Sequence, residues 1–376
     1  MSITIICGAG MVAGKEIMAL ELGQGLRDHG HSVDYVTTLW GNGVFGQRLD
    51  ALGFEQTAMR LGFISATMTL ECIRMSLDQL VRLPGLWLDY RGFLKRKQPR
   101  RIIHTNWQHL LVLWPFHNQQ RDWFWLHDVY PNKPQYRRLF FALNSCLAGF
   151  ITVSNAVKNS LLRLGVPSEK IHVIHNGLND PALDLFNDPA APPHLGNRIG
   201  IVGQVEPWKG HMHLLESFAQ IASRHPDAEL HVFGTADSNY AHELKQRAAN
   251  LGLSKRLVWH GFVTKRSDIY AGLDLCVVPS CLTEALPTVA IESAFFGIPV
   301  IATEIGGLPE IIEHERTGYI LNPDNPEDLS HRLDTLLSDT GLRRHMGSEA
   351  RKRAVSHFSR DRFVADFANL LNEPVQ

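Results

Sequence analysis

Cysteine is scarce and unpaired in this chain of 376 residues. Its five cysteines, Cys7, Cys72, Cys146, Cys276 and Cys281, are an odd number, and none sits in a C-x-x-C pair. That excludes a disulfide framework and a zinc ribbon and fits a reducing cytoplasm. Long hydrophobic runs are missing too. The longest, Leu139 to Val153, is 15 residues with Asn144 and Ser145 inside it, too short to cross a bilayer. The first residues, Ser2-Ile3-Thr4-Ile5-Ile6-Cys7, have no basic n-region and read as a first strand, not as a leader. No G-x-x-x-x-G-K-[ST] spacing occurs, which excludes a P-loop. No two aspartates stand two positions apart, so a D-x-D cation clamp is absent and no metal site is expected. Charge of one sign does not dominate: the net charge is −1, and nothing global points to nucleic acid.

What is present is ordinary globular material, 44% hydrophobic and 20% charged, long enough for two α/β domains. The charge is unevenly placed. Residues 1–180 hold 19 Lys and Arg against 13 Asp and Glu, and the remainder holds 18 against 25. A basic first half suggests an anionic partner there.

The opening reads strand (Ile3–Cys7), glycine-rich loop (Gly8–Gly14), helix (Glu16–His29) and strand (Ser32–Thr37). Strands follow at Arg101–His104, Trp123–Leu126, Phe150–Val153 and His172–Ile174, with helical stretches between most of them. Pro181 to Asn197 holds four prolines and reads as a linker. A second series starts at Arg198 and continues with strands at Glu229–Phe233, Leu257–His260, Leu275–Val278 and Val300–Thr303. This alternation predicts two doubly wound parallel sheets in tandem, at 1–180 and 198–355, with ligands at strand carboxyl ends. The tail, about 356–376, is expected to pack back on the first domain as a helix.

Two stretches carry chemistry. Gly8-Ala9-Gly10-Met11-Val12-Ala13-Gly14 matches the G-x-G-x-x-A form of a dinucleotide fingerprint. An NAD site would want an acidic residue closing the second strand, but that strand ends Val36-Thr37-Thr38 with Asp34 inside it. The second stretch runs from Leu275 to Glu310. Glu284 precedes a helix, Pro287 suits its first turn, and Glu292 lies about a turn inside. Free amides of Leu286, Thr288 and Val289, in a turn where Pro287 has none to give, would form an anion site, and two carboxylates eight apart can grip hydroxyls at two points.

Glu284-x7-Glu292, followed by Gly297-Ile298-Pro299 and Gly306-Gly307-Leu308-Pro309-Glu310, resembles the EX7E region of family 4 glycosyltransferases, retaining enzymes of the GT-B fold. Gly203-Gln204-Val205-Glu206-Pro207-Trp208-Lys209-Gly210 is similar to the phosphate-binding segment opening that family's second domain. Val153–Val157 and Val173–Asn179 resemble segments closing its first. The resemblance implies two Rossmann-like domains facing a cleft and a nucleoside-diphosphate sugar as donor. Glu284 would bind hydroxyls of the transferred sugar, Glu292 the nucleotide ribose and Lys209 the diphosphate, while Gly14 would let the first loop close over the phosphates. His127 resembles the family's histidine near the reacting sugar, although a lone histidine at a strand end is usually structural.

Gln204 stands where the family usually carries Arg, which removes one positive charge opposite the leaving diphosphate; Lys15 is a candidate to replace it. Ala285 stands for a common glycine. Without a metal clamp, Lys209 and helix N-termini must stabilise the leaving group. His104, Asn106 and Trp107, after a strand in the tryptophan-rich first half, are candidates for the acceptor side. Arg91 to Arg101 is a basic stretch that either docks on anionic lipid, suiting a lipid-linked acceptor and a peripheral cytoplasmic enzyme, or is a solvated helix end. Alternatives are a nucleotide-sugar-binding protein without catalysis, motivated by Gln204, and an NAD-dependent oxidoreductase.

Overall fold

The computed structural model describes residues 1–8, 12, 14–39, 43–61, 69–183, 196–323 and 325–374. The chain divides into two compact units, Met1–Gly177 with Arg360–Gln376, and Leu178–Ser359. Most of the expected linker, residues 184–195, lies outside the described residues.

Among its described residues the first unit has seven parallel strands: β1 (Ser2–Ile6), β2 (Ser32–Thr38), β3 (Glu55–Met59), β4 (Arg101–His104), β5 (Asp122–Leu126), β6 (Gly149–Thr152) and β7 (Ile171–Val173). They lie in the order β3-β2-β1-β4-β5-β6-β7. The central strands are buried along their whole length, and each has an apolar run at its centre: Ile102-Ile103, Trp123 to Leu126 and Phe150-Ile151. Edge strand β3, Glu-Gln-Thr-Ala-Met, has no such run and the sequence did not announce it.

Helix Gly14–Asp28 starts two residues earlier than its apolar stripe suggests. It packs on helix Arg360–Asn372, and the chain crosses closely: a Cβ on Gly25 would lie 2.1 Å from Val364 Cγ2. Trp125 meets Phe363 and Phe367 of that last helix. The segment Val153–Val157 has a local reason, for the Ser154 hydroxyl caps helix Asn155–Arg163 by accepting the Val157 amide at 3.2 Å. Helix Leu70–Lys97 is the longest of the unit's described helices, and its Leu86, Tyr90 and Phe93 enter the core beside Ile6 and Ile102.

The second unit has six parallel strands among its described residues: β8 (Arg198–Val202), β9 (Glu229–Phe233), β10 (Leu257–Gly261), β11 (Leu275–Val278), β12 (Val300–Thr303) and β13 (Gly318–Leu321), in the order β10-β9-β8-β11-β12-β13. Helices include His211–Ile221, Thr288–Phe295, Pro326–Ser338 and Thr340–His357. The closing stretch from Leu342 to Leu371 divides into two helices, Thr340–His357 and Arg360–Asn372.

Candidate functional site

Ligands of parallel open sheets collect beyond the carboxyl ends of the two strands from which successive crossovers run in opposite directions. In the second unit those strands are β8 and β11. The segment after β8 makes one 3-10 turn, Pro207–Lys209, ended by Gly210 at φ 76°. A Cβ on Gly210 would stand 1.9 Å from the Pro279 carbonyl oxygen, so the loops after β8 and β11 meet only because this residue is glycine. The Cys281 amide joins the same loops by donating to the Trp208 carbonyl at 2.7 Å.

Across this seam Lys209 Nζ donates to Glu284 Oε2 at 2.8 Å. The Ser280 hydroxyl donates to Glu284 Oε1, and Thr303 Oγ1 fixes that turn by donating to the Ser280 carbonyl at 2.7 Å. The Gly307 amide holds the Glu284 carbonyl at 3.0 Å. Lys209 also stands 4.3 Å from the Trp208 ring centroid, a cation–π contact. Both charged side chains are mostly covered, with 16% and 11% of their surface exposed. Removing one partner would leave the other charge largely desolvated and unmatched.

Glu292 is also held in place. Its Oε1 accepts Arg266 Nε at 3.0 Å and its Oε2 accepts the Tyr270 hydroxyl at 2.9 Å. Each oxygen of both glutamates keeps a further lone pair for an incoming hydroxyl. Pro287 is the residue before helix Thr288–Phe295, one position earlier than expected; Leu286 and Pro287 are buried and Thr288 half-buried. Gln204 is exposed. Ser280, Arg266 and Tyr270 carry no motif, and only the fold pairs them with residues up to 26 positions away.

The equivalent strands of the first unit are β1 and β4. Residues 9–11 and 13 of the expected glycine loop lie outside the described residues. Gly14 opens its helix in an exposed position where a Cβ would meet nothing within 4 Å, so no described contact demands glycine there. Lys15 Nζ donates to Asn106 Oδ1 and stands 3.6 Å from Glu16 Oε1. Asn106 Nδ2 donates to the Gly8 carbonyl at 3.4 Å, and Thr105 Oγ1 to that of Ile6 at 3.1 Å.

His127 follows β5 with its ring 4.3 Å from that of Trp125. Its Nε2 is enclosed and has no hydrogen-bond partner among the described residues. Burial, and secondarily Lys15, push its pKa down to about 3, so the imidazole is neutral near pH 7. Asp34 lies within β2 and accepts the Thr4 hydroxyl at 2.7 Å, which leaves it no part in a ribose site at the strand end.

His104 is fully enclosed rather than lining a surface, and its Nε2 meets Asp122 Oδ1 at 3.0 Å. His104, His117 and Asp122 form the one group among the described residues whose ligand atoms cluster as a metal's would. Here Arg121 Nε and the Asn118 amide both approach Asp122 Oδ2 at 2.9 Å, so existing donors already meet the carboxylate's charge. Trp107 is half-buried; Trp123 and Trp125 are core. In the basic stretch, Lys97 pairs with Glu55, and Arg101 is buried with its guanidinium on the carbonyls of Leu371 and Glu373 at 2.8 Å each. Arg91, Lys95 and Arg96 stay exposed.

Two family models match this chain: Glycosyltransferase Family 4 over residues 12–180 and Glycosyl transferases group 1 over 188–353. Among curated proteins, an uncharacterised glycosyltransferase of Methanocaldococcus jannaschii is 30% identical over 233 residues, 58% of this chain and 58% of its own. A D-inositol 3-phosphate glycosyltransferase of Corynebacterium glutamicum is 31% identical over 206 residues, 52% of this chain and 48% of its own. The chain thus spans about half the length of the curated relatives it matches. Among solved structures, Anabaena HepE in complex with UDP and glucose superposes with a TM-score of 0.77 at 20% identity, over 99% of this chain and 100% of that one. That likeness is one of fold.

Proposed function

Because this chain belongs to the group 1, family 4 glycosyltransferases of the GT-B fold, we propose that it moves a sugar from a nucleoside-diphosphate sugar to a glycan or lipid-linked acceptor. The observation that carries this reading is the Lys209–Glu284 pair, 2.8 Å apart at the point where the second sheet reverses its strand order. A lysine there, with two donors left over, meets the charge that grows on a departing diphosphate. The free lone pairs of Glu284 take sugar hydroxyls, and those of Glu292 take the ribose. The bond between anomeric carbon and diphosphate oxygen breaks, an acceptor hydroxyl oxygen bonds that carbon with retention of configuration, and the hydroxyl proton leaves with the diphosphate. His127 serves as a neutral hydrogen-bonding group beside the sugar and not as a cation. UDP in the HepE complex makes uridine donors the first to try.

No resident cofactor and no divalent metal enter this proposal, so turnover continues in EDTA. The pathway reading, bacterial surface polysaccharide or lipopolysaccharide synthesis by a peripheral enzyme of the cytoplasmic face, draws on the breadth of the family. Among the described residues no helix is long and apolar enough to cross a membrane.

The experiment is nucleoside-diphosphate release from a panel of donor sugars in EDTA, with the product anomer read by NMR. Release from one donor that Lys209→Ala abolishes supports the proposal. An absolute need for a divalent cation contradicts its metal-independent part. The exposed Gln204 favours a second reading, binding without catalysis, which predicts donor affinity with no hydrolysis at all.

A further inference from the structure

Helix Leu70–Lys97 is apolar on two opposite faces. One face is the buried row of Leu86, Tyr90 and Phe93. The other is exposed: Ile73, Leu77, Leu80, Val81 and Leu88 show 37%, 56%, 54%, 79% and 71% of their surface. These positions recur at i, i+4, i+7, i+8 and i+15, one stripe at 3.6 residues per turn. A surface helix ordinarily buries a single apolar stripe and turns polar residues outward, so a second one needs an occupant.

The charges select the occupant. Arg91 and Lys95 lie five turns on from Ile73 and Leu77, so they extend the same stripe towards the helix end. Arg74 and Arg96 are exposed near its two ends. Among the helix's described side chains the exposed acidic ones, Asp78 and Asp89, fall to one side, where Arg96 also lies, and Asp78 already binds Arg82 through Nε at 2.8 Å. Pairing with a second copy of this helix, antiparallel, would set Arg74 against Arg91 and Lys95; parallel pairing would set each cation on its twin. An apolar stripe with only cations in line is instead the pattern of a helix lying in a membrane interface of anionic headgroups.

We propose that this face, Ile73 to Lys95, is where the protein lies on a membrane rich in anionic lipid. The surface shares Arg91 and Lys95 with the basic stretch that the sequence singled out but runs back along the helix to Ile73 and leaves out Lys97 and Arg101, which are engaged within the fold. The proposal deepens the peripheral placing given above. Its test reads lipid binding and not sugar transfer, so either can fail alone.

The full chain is floated with phosphatidylcholine vesicles, with and without phosphatidylglycerol. Wild type floats with the anionic vesicles. Leu77→Gln/Val81→Gln/Leu88→Gln lowers the bound fraction tenfold or more, and Arg91→Glu/Lys95→Glu lowers it by about fivefold or more per cation, a loss that added salt reproduces in wild type. All five positions are solvent-exposed, so both variants keep melting midpoints within about 2 °C of wild type. Wild type remaining unbound on anionic vesicles overturns the proposal, as does equal flotation of the glutamine variant. A dimer in solution that the glutamine variant dissolves, without flotation, assigns the face to a second copy and overturns it too.

Discussion

In the first unit a lysine that opens the helix after β1 meets an asparagine after β4; in the second a lysine after β8 meets a glutamate after β11. The two sheets reverse strand order at corresponding places, and each reversal is bridged by a lysine. The acceptors differ. Lys209 is neutralised by Glu284, which is itself fixed by Ser280, by the Gly307 amide and, through Ser280, by Thr303. Lys15 meets a neutral amide, with Glu16 at 3.6 Å, and its field helps hold His109 and His127 uncharged. The comparison teaches that one topology can present either a preorganised ion pair or a less fully matched cation, depending on which side chain the opposite strand supplies. The first suits a ligand with both hydroxyls and phosphates.

If this contrast governs activity, Lys209→Ala costs turnover about 10²–10³-fold, since it removes a charge aimed at the leaving group. Lys15→Ala should cost about tenfold or less. Equal losses in steady-state kinetics would break the contrast and make Lys15 the replacement for the positive charge that Gln204 omits.

The glycines sharpen it on the side of stability. Gly210→Ala forces a Cβ to 1.9 Å from Pro279 O at φ 76°, and a loss of about 3 kcal/mol is expected in urea unfolding. Gly14→Ala, at an open helical position, should leave stability unchanged or raised while weakening nucleotide binding. Binding that is also unchanged would remove Gly14 from the site.

A smaller effect is expected from Ser280→Ala. It deletes one hydrogen bond to the Glu284 carboxylate, and a loss of roughly tenfold in kcat/KM follows from about 1.5 kcal/mol. Glu284 wandering without its serine would raise KM for the donor as well.

The smallest effect separates the units by acid. Burial lowers the pKa of His104 to about 4 and of His109 and His127 to about 3 in the first unit, and of His211 to about 4 in the second. An unfolded chain binds a proton at each histidine near pH 6.5, and the folded chain does not until the lower value. Stability contributed by these neutral histidines is therefore complete above pH 6.5 and falls as pH drops toward 4. Burial also lowers His31 and His172 in the first unit and His231 and His260 in the second, so with five such groups against three, hydrogen exchange at pH 5 should open the first unit before the second. The reverse order would mean that other groups control acid unfolding.

Much of this was legible in the sequence for a physical reason. Strands buried on both faces carry apolar residues at their centres, so β1, β4, β9, β11 and β12 could be read from short apolar runs even where Arg101, His104 or His231 interrupts or flanks them. Edge strand β3 mixes Glu, Gln and Thr because one side meets solvent, and β13 is only Gly-Tyr-Ile-Leu, so neither stood out. Glu284 and Glu292 stood out by their spacing, and Lys209 through the family resemblance of its segment. Their supports did not: Ser280, Arg266 and Tyr270 act only through contacts that the fold creates. His104 shows the opposite failing, since a histidine at a strand end looks available until the packing around Asp122 encloses it. The exposed stripe of helix Leu70–Lys97 was hidden for a related reason. A helix with two apolar faces has no clean period, and only the burial of one face reveals the other.

The central claim is that the β8–β11 reversal, gripped by Lys209, holds a nucleoside diphosphate. Its most direct test is a thermal-shift panel of UDP, GDP, ADP, CDP and NAD in EDTA, run on wild type and on Lys209→Ala. At one hundred times its dissociation constant a ligand adds about 2.7 kcal/mol, enough to move a melting midpoint visibly. The account predicts that one nucleoside diphosphate raises the wild-type midpoint and that Lys209→Ala loses most of the rise. A shift with NAD alone, or a diphosphate shift indifferent to Lys209, would contradict it.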